Sequence, residues 1–216
     1  MDGILGRDFA GLLFDMDGTL LSSVAAAERV WTRWATEEGF DPAEVLSIMH
    51  GVRAIDTMRR LGVVDLDAQA ARLTQMEIDD VEGIVALPGA IAFTAALPAG
   101  RWAIVTSAPR LLAERRLAAA GLPPPTVFVT AEDIEHGKPA PDGYRLAARL
   151  LGFDPAECLV LEDAPAGIAA GLAAGAPVLV LSATHNAPLV TNCATVRDYR
   201  RLEPEMTTEG VRIRAA

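Results

Sequence analysis

The chain is short of cysteine, of positive charge and of long apolar runs, and each shortage narrows what it can be. Two cysteines in 216 residues cannot build a disulfide framework. Cys158 sits inside the apolar run "ECLVLE" and reads as a small core residue, which suits a reducing cytoplasm. No apolar stretch approaches the ~20 residues that span a bilayer. The start, "MDGILGRDFA", has no basic segment followed by an apolar core, so no signal peptide is expected. Lys and Arg number 19 against 29 Asp and Glu, a net charge of −10 that argues against nucleic acid and anionic membrane surfaces as partners. The basic pairs Arg59-Arg60, Arg115-Arg116 and Arg200-Arg201 are scattered and read as solvated helix faces.

What the chain does have is apolar bulk, 51% of residues, enough to bury a sizeable core. Short apolar runs recur at 11–15, 101–107, 126–130, 158–163 and 176–182, nearly continuous in Val, Ile and Leu as strands covered on both faces should be. Helix-period segments such as 109–120 and 140–151 lie between them. Strands alternating with helices predict an α/β fold, a doubly wound, Rossmann-like parallel sheet. Residues 23–86 break the rhythm: they show helical periodicity punctuated by Gly and Pro and no convincing strand. This predicts a core made of residues 1–21 and 88–216, with an all-helical module over 22–87 inserted after the first strand. Trp31 and Trp34, three apart, are expected to pack that module. The tail "EPEMTTEGVRIRAA" reads as a short terminal strand or hairpin.

Acids gather where strands end. "GLLFD" runs four apolar residues into Asp15, skips one to Asp17 and bends at Gly18; "CLVLED" ends on Glu162-Asp163. Ligands of open parallel sheets sit beyond the carboxyl ends of the strands. There Asp15, Thr106 and Glu162-Asp163 can meet on one rim. Buried carboxylates repel one another unless a cation compensates. Converging hard oxygens suit Mg²⁺, and Lys138, kept out of helix geometry by Pro139, offers a local ammonium.

The ordered set "DMDGTL", "VTS", "GKPAP" and "LVLEDAPAGIAAG" resembles the haloacid-dehalogenase superfamily of phosphotransferases, over about residues 10 to 182. Helices inserted after the first motif resemble its helical-cap group. "SIMHGVRAIDTM", "HGKPAPDGY" and "EDAPAGIAAGLAAG" further resemble bacterial sugar- and hexitol-phosphate phosphatases and the glycerol-phosphate and deoxyglucose-phosphate phosphatases of yeast. The resemblance implies Asp15 as nucleophile, forming an aspartyl-phosphate, and Asp17 as general acid, then general base. Side chains at i and i+2 of extended backbone share a face, which accounts for the spacing. It implies Mg²⁺ on the Asp15 carboxylate, the Asp17 carbonyl and Asp163, with Glu162 direct or through water. Thr106 and Ser107 would hold the phosphoryl group, and Lys138 would neutralise it.

The helical module would serve as a lid reading the leaving group, with His50, Arg53 and Glu77 as substrate-facing candidates. For His50, packing and substrate contact stand as alternatives; His136 and His185 read as exposed loop residues. Arg110 reads either as substrate-facing or as helix-start surface. The expected partner is a small sugar or polyol phosphate, and the expected state is a cytoplasmic monomer. A β-phosphoglucomutase-like mutase is the alternative, disfavoured because "AAAERVW" lacks a His and Glu77 stands where a mutase Lys belongs. A phospho-ligand binding module on a decayed enzyme fold is disfavoured because every motif acid and the Lys is present.

Overall fold

The computed structural model describes residues 3–185, 187 and 189–215; the first two residues of the start read as carrying no signal peptide, and the last of the tail, lie outside these. In chain order the elements are β1 (Asp8–Phe9), β2 (Gly11–Phe14), β3 (Leu21–Ser22), α1 (Val24–Glu38), α2 (Pro42–Ile48), α3 (Ala54–Arg60) and α4 (Leu66–Asp79). There follow β4 (Val85–Ala86), α5 (Ala90–Ala95), β5 (Trp102–Val105), α6 (Arg110–Ala119), β6 (Val127–Val129), α7 (Asp142–Leu151) and β7 (Cys158–Glu162). The chain ends with α8 (Pro165–Ala174), β8 (Val178–Leu181), β9 (Ala194–Val196), β10 (Leu202–Met206) and β11 (Val211–Ala215).

Six strands form one parallel sheet in the order β6-β5-β2-β7-β8-β9. Alternate residues of its strands enter opposite cores. Leu12, Phe14, Ile104, Leu159, Leu161 and Leu179 pack with α5, α6 and the terminal strands. Leu13, Ala103, Val105, Val160 and Val178 pack with α7 and α8. Both faces being covered, β2, β5, β7 and β8 are buried throughout, which is why each reads as an unbroken apolar run. The α/β architecture expected from the sequence is thus present. Cys158 is buried in the second of these cores, its thiol pushed up to about 12 by burial.

Helices α1 to α4 form a layer with its own core, in which Trp31 and Trp34 meet edge to face at 5.7 Å and Trp34 stacks on Phe40. Trp34 is fully buried, and its indole N–H donates to Gln69 at 2.9 Å. The chain enters and leaves this layer through the antiparallel pair β3-β4, with Leu21 opposite Ala86. Strand β4 lies inside the segment expected to be wholly helical; two residues are too few to show alternation. The tail forms the hairpin β10-β11, which β1 extends to three strands.

Removing the Trp34 side chain should cost about 3–5 kcal/mol in denaturant unfolding. Hydrogen exchange in Trp34→Ala should rise across α1–α4 while β2 and β7 stay protected, because the core of this layer is separate from the two cores of the sheet.

Candidate active site

The carboxyl ends of β2, β5 and β7 converge as the alternation of strands requires. The Asp15 amide still donates to the Leu161 carbonyl at 2.9 Å, so the carboxylate is fixed to the end of the ladder and is 6% exposed. Gly18 then turns at φ 88°, where its missing Cβ would stand 2.0 Å from Asp163 Oδ2. A side chain there would meet both backbone strain and a collision. Thr19 Oγ1 donates to Asp163 Oδ1 at 3.3 Å. Gly167 opens α8 against Glu162 in the same manner, its missing Cβ 1.5 Å from Oε1.

Lys138 is the one lysine among the 19 basic residues, and it is buried here. Its Nζ donates to Asp15 Oδ1 at 2.5 Å and to Glu162 Oε1 at 2.6 Å. Tyr144 OH also donates to Glu162 Oε1, at 2.9 Å, and Glu162 Oε2 accepts from the amides of Asp163 and Ala164. The four acceptor sites of Glu162 are therefore met by protein donors, and it serves the site by its charge and by fixing Lys138. Burial works against the Lys138 charge, yet Asp15 and Glu162 outweigh it and hold the ammonium above its ordinary value. Burial, with Glu162 and Asp163 adding to it, pushes the Asp15 carboxyl well up despite Lys138. Burial raises Asp163 as well.

Oxygens of Asp15, Glu162 and Asp163 lie within 4.8 Å of one another, and all three side chains are buried. One ammonium for three such carboxylates leaves negative charge uncompensated. A hard divalent cation fits the Asp15 and Asp163 oxygens, beside the charge of Glu162.

The surroundings agree. A profile of the haloacid dehalogenase-like hydrolases matches residues 9–175. The chain belongs to the haloacid dehalogenase-like hydrolases. It is 50% identical to hexitol phosphatase A of Escherichia coli K12, over 82% of this chain and 85% of that one. It is 34% identical to 2-deoxyglucose-6-phosphate phosphatase 1 of Saccharomyces cerevisiae, over 81% and 80%. A solved hydrolase from Pseudomonas syringae superimposes with a TM-score of 0.71 at 28% identity, covering 81% of this chain and 84% of that one.

As in a hydrolase with a helical cap, a cleft of about 620 Å³ lies between the strand ends and the α1–α4 layer. Asp15, Asp17, Thr106, Ser107, Asp163, His50 and Glu77 all border it. Thr106 Oγ1 accepts from the Ala108 amide at 3.1 Å, and Ser107 Oγ donates to the Gly51 carbonyl. His50 is half-exposed and 3.8 Å from Glu28, so it lines the cleft rather than packing in the core. Arg53, expected to face the substrate, is engaged within the protein. It is bonded to Asp56, and its Nη1 donates to the Glu135 carbonyl at 3.0 Å, alongside Gly137 in the loop that carries Lys138. Arg110 likewise turns away, to the Phe128 carbonyl and Asp133.

Sequence reasoning missed three residues of this hydrolase. Arg116 of α6 is buried, 3.0 Å from Asp17 and 2.8 Å from Glu77. It lies four residues after Leu112 and three after Ala113, on the buried face of the helix, a spacing that marks it off from exposed Arg115. Tyr144 shares the buried face of α7 with Ala147 and Ala148 in the same way. His185 is not a bystander either: its Nε2 lies 3.0 Å from the Asp163 carbonyl, and Asp163 raises its pKa. Nothing in the loop sequence after β8 signals that approach. His136 is exposed, as read.

Two outcomes follow from the charge balance. Carboxyls raised in the folded state cost stability as pH rises through their raised values. Mg²⁺ should therefore raise the melting temperature more at pH 8 than at pH 5, as read by thermal denaturation across pH. Lys138→Met should lose about 3–5 kcal/mol in denaturant unfolding near pH 8 by leaving buried charge unpaired, and less near pH 5, where the acids can bind protons.

Proposed function

We propose that the protein is a Mg²⁺-dependent phosphatase that hydrolyses a small sugar or polyol monophosphate through an aspartyl-phosphate. One observation carries the reading: a buried ammonium held between Asp15 and Glu162 at the strand ends, beneath a cleft closed by helices. The hexitol and deoxyglucose-phosphate phosphatases among its relatives support a polyhydroxylated leaving group.

Asp15 attacks phosphorus and the ester C–O–P bond breaks at the P–O link. Asp17 gives a proton to the departing alkoxide. Asp17 then takes a proton from the water that attacks phosphorus in the second step, which returns the Asp15 carboxylate and releases phosphate. Thr106 and the Ser107 amide orient the phosphoryl oxygens, and Lys138 offsets their charge as it now offsets Asp15. The Asp15 and Asp163 carboxylates and the Asp17 main-chain carbonyl would hold the cation, with Glu162 adding charge behind Lys138. Mg²⁺, when bound, supplies charge neutralisation for phosphoryl transfer.

The cap, over residues 22–87, excludes water and reads the alcohol through His50, Glu77 and the Trp31 face. Of the cleft's two arginines, Arg60 and Arg116, the latter is already paired with two acids. That suits a neutral alcohol better than the second phosphate a mutase must hold. Among the described residues no helix is long and apolar enough to cross a membrane. A cytoplasmic monomer with no nucleic-acid or membrane partner accords with the acidic charge.

Phosphate release from a panel of hexitol, hexose, glycerol and nucleotide monophosphates tests this. Release should require Mg²⁺, stop with EDTA, and fall by roughly 10⁴-fold or more in Asp15→Asn, on the scale of losing a nucleophile. Asp15-dependent interconversion of hexose 1- and 6-phosphates without release would instead make the protein a mutase.

A further inference from the structure

Arg116 is unused by the scheme above, yet it is among the most enclosed charges in the molecule. Its side chain is 8% exposed and that of Glu77 is 7%. Its Nη1 lies 3.0 Å from Asp17 Oδ1, and its Nη2 donates to Glu77 Oε1 at 2.8 Å. Ser23 Oγ donates to the same Asp17 Oδ1 at 2.5 Å. Among the described residues no protein donor meets Asp17 Oδ2, although Asp17 borders the cleft. Arg116 belongs to core helix α6 and Glu77 to cap helix α4, so one guanidinium joins the cap to a carboxylate of the site.

Stability alone accounts poorly for this cluster. A buried ion pair is commonly no better than apolar side chains of the same volume. The guanidinium also keeps a buried Nε without a partner among the described residues. Orientation accounts for it better. Oδ1 already accepts from Ser23 and faces the Arg116 guanidinium, so the acid proton belongs on Oδ2, the oxygen left open.

We propose that Arg116 is a positioning residue for Asp17: its guanidinium, anchored by Glu77 of the cap, holds Oδ1 so that Oδ2 is the oxygen that works on the leaving group. This rests on the phosphatase reading above. Seating the cap then does more than exclude water, because it also completes the anchor that sets the angle of Asp17.

The test compares kcat/KM for three esters in wild type, Arg116→Met, Arg116→Lys and Glu77→Gln. p-Nitrophenyl phosphate releases an alcohol that needs no proton. Propyl phosphate releases one that does but has no hydroxyl to bind. Glycerol phosphate has both needs. General acid catalysis is worth about 10²–10⁴-fold. In Arg116→Met the ratio of propyl to p-nitrophenyl phosphate should therefore fall by roughly 30-fold or more, with most of the loss in kcat rather than KM. Glu77→Gln should move the ratio the same way by less, and Arg116→Lys should restore part of it.

Equal losses on all three esters would reduce Arg116 to a structural role and overturn the proposal. Losses confined to glycerol phosphate would make it a hydroxyl-binding residue and overturn it too. If Arg116→Met does not fold, by circular dichroism, the ratios in Glu77→Gln and Arg116→Lys decide. Wild type that releases no phosphate from any ester would sink the phosphatase reading, and this inference with it. Uniform losses in an active enzyme would sink this inference alone.

Discussion

The bond between the Lys138 ammonium and the Asp15 carboxylate is the contact on which the rest of the site depends. Acids at the ends of buried strands are costly, and this chain places three of them there. A planar guanidinium would be larger and more spread in charge, whereas an ammonium fits as a compact point charge between two oxygens. Tyr144 and two backbone amides hold Glu162, Glu162 holds Lys138, and Lys138 meets Asp15. The order of these contacts runs from the rigid core outward to the reacting carboxylate, as preorganised electrostatics requires.

The cap meets this core at a few close points. Gly51 lets its loop approach so nearly that a Cβ would stand 2.5 Å from the Cβ of Ala164. Gly137 does the same for the Arg53 side chain, at 2.6 Å from Nε. Arg53 thus straps the cap to the loop bearing Lys138, while Glu77 and Arg116 join it to the opposite side of the cleft. Small residues at these places leave room for the polar contacts beside them.

The sheet was legible in the sequence because its strands are buried on both faces and carry unbroken apolar runs. Asp15, Asp17, Lys138, Glu162 and Asp163 were legible because order and spacing along the chain survive folding. The short pairs β1, β4 and β9 were not, since two or three residues carry no period. The contacts of Arg53 and Arg116 were not legible for one reason. A cation's role depends on which carboxylate or carbonyl comes to face it, and here those partners lie 39 to 99 residues away along the chain. His185 became part of the site by the same tertiary approach.

The chain spends eighteen of its nineteen basic positions on arginine and keeps lysine for the position where an ammonium is sealed between acids. Reagents that acylate amines thus meet no other lysine side chain. They can reach this one only when it comes away from Asp15 and Glu162, because a protonated, buried amine is a poor nucleophile. The folded protein therefore carries a single-site chemical indicator of its own opening, in which the rate of modification at one atom records how often the core of the site comes apart.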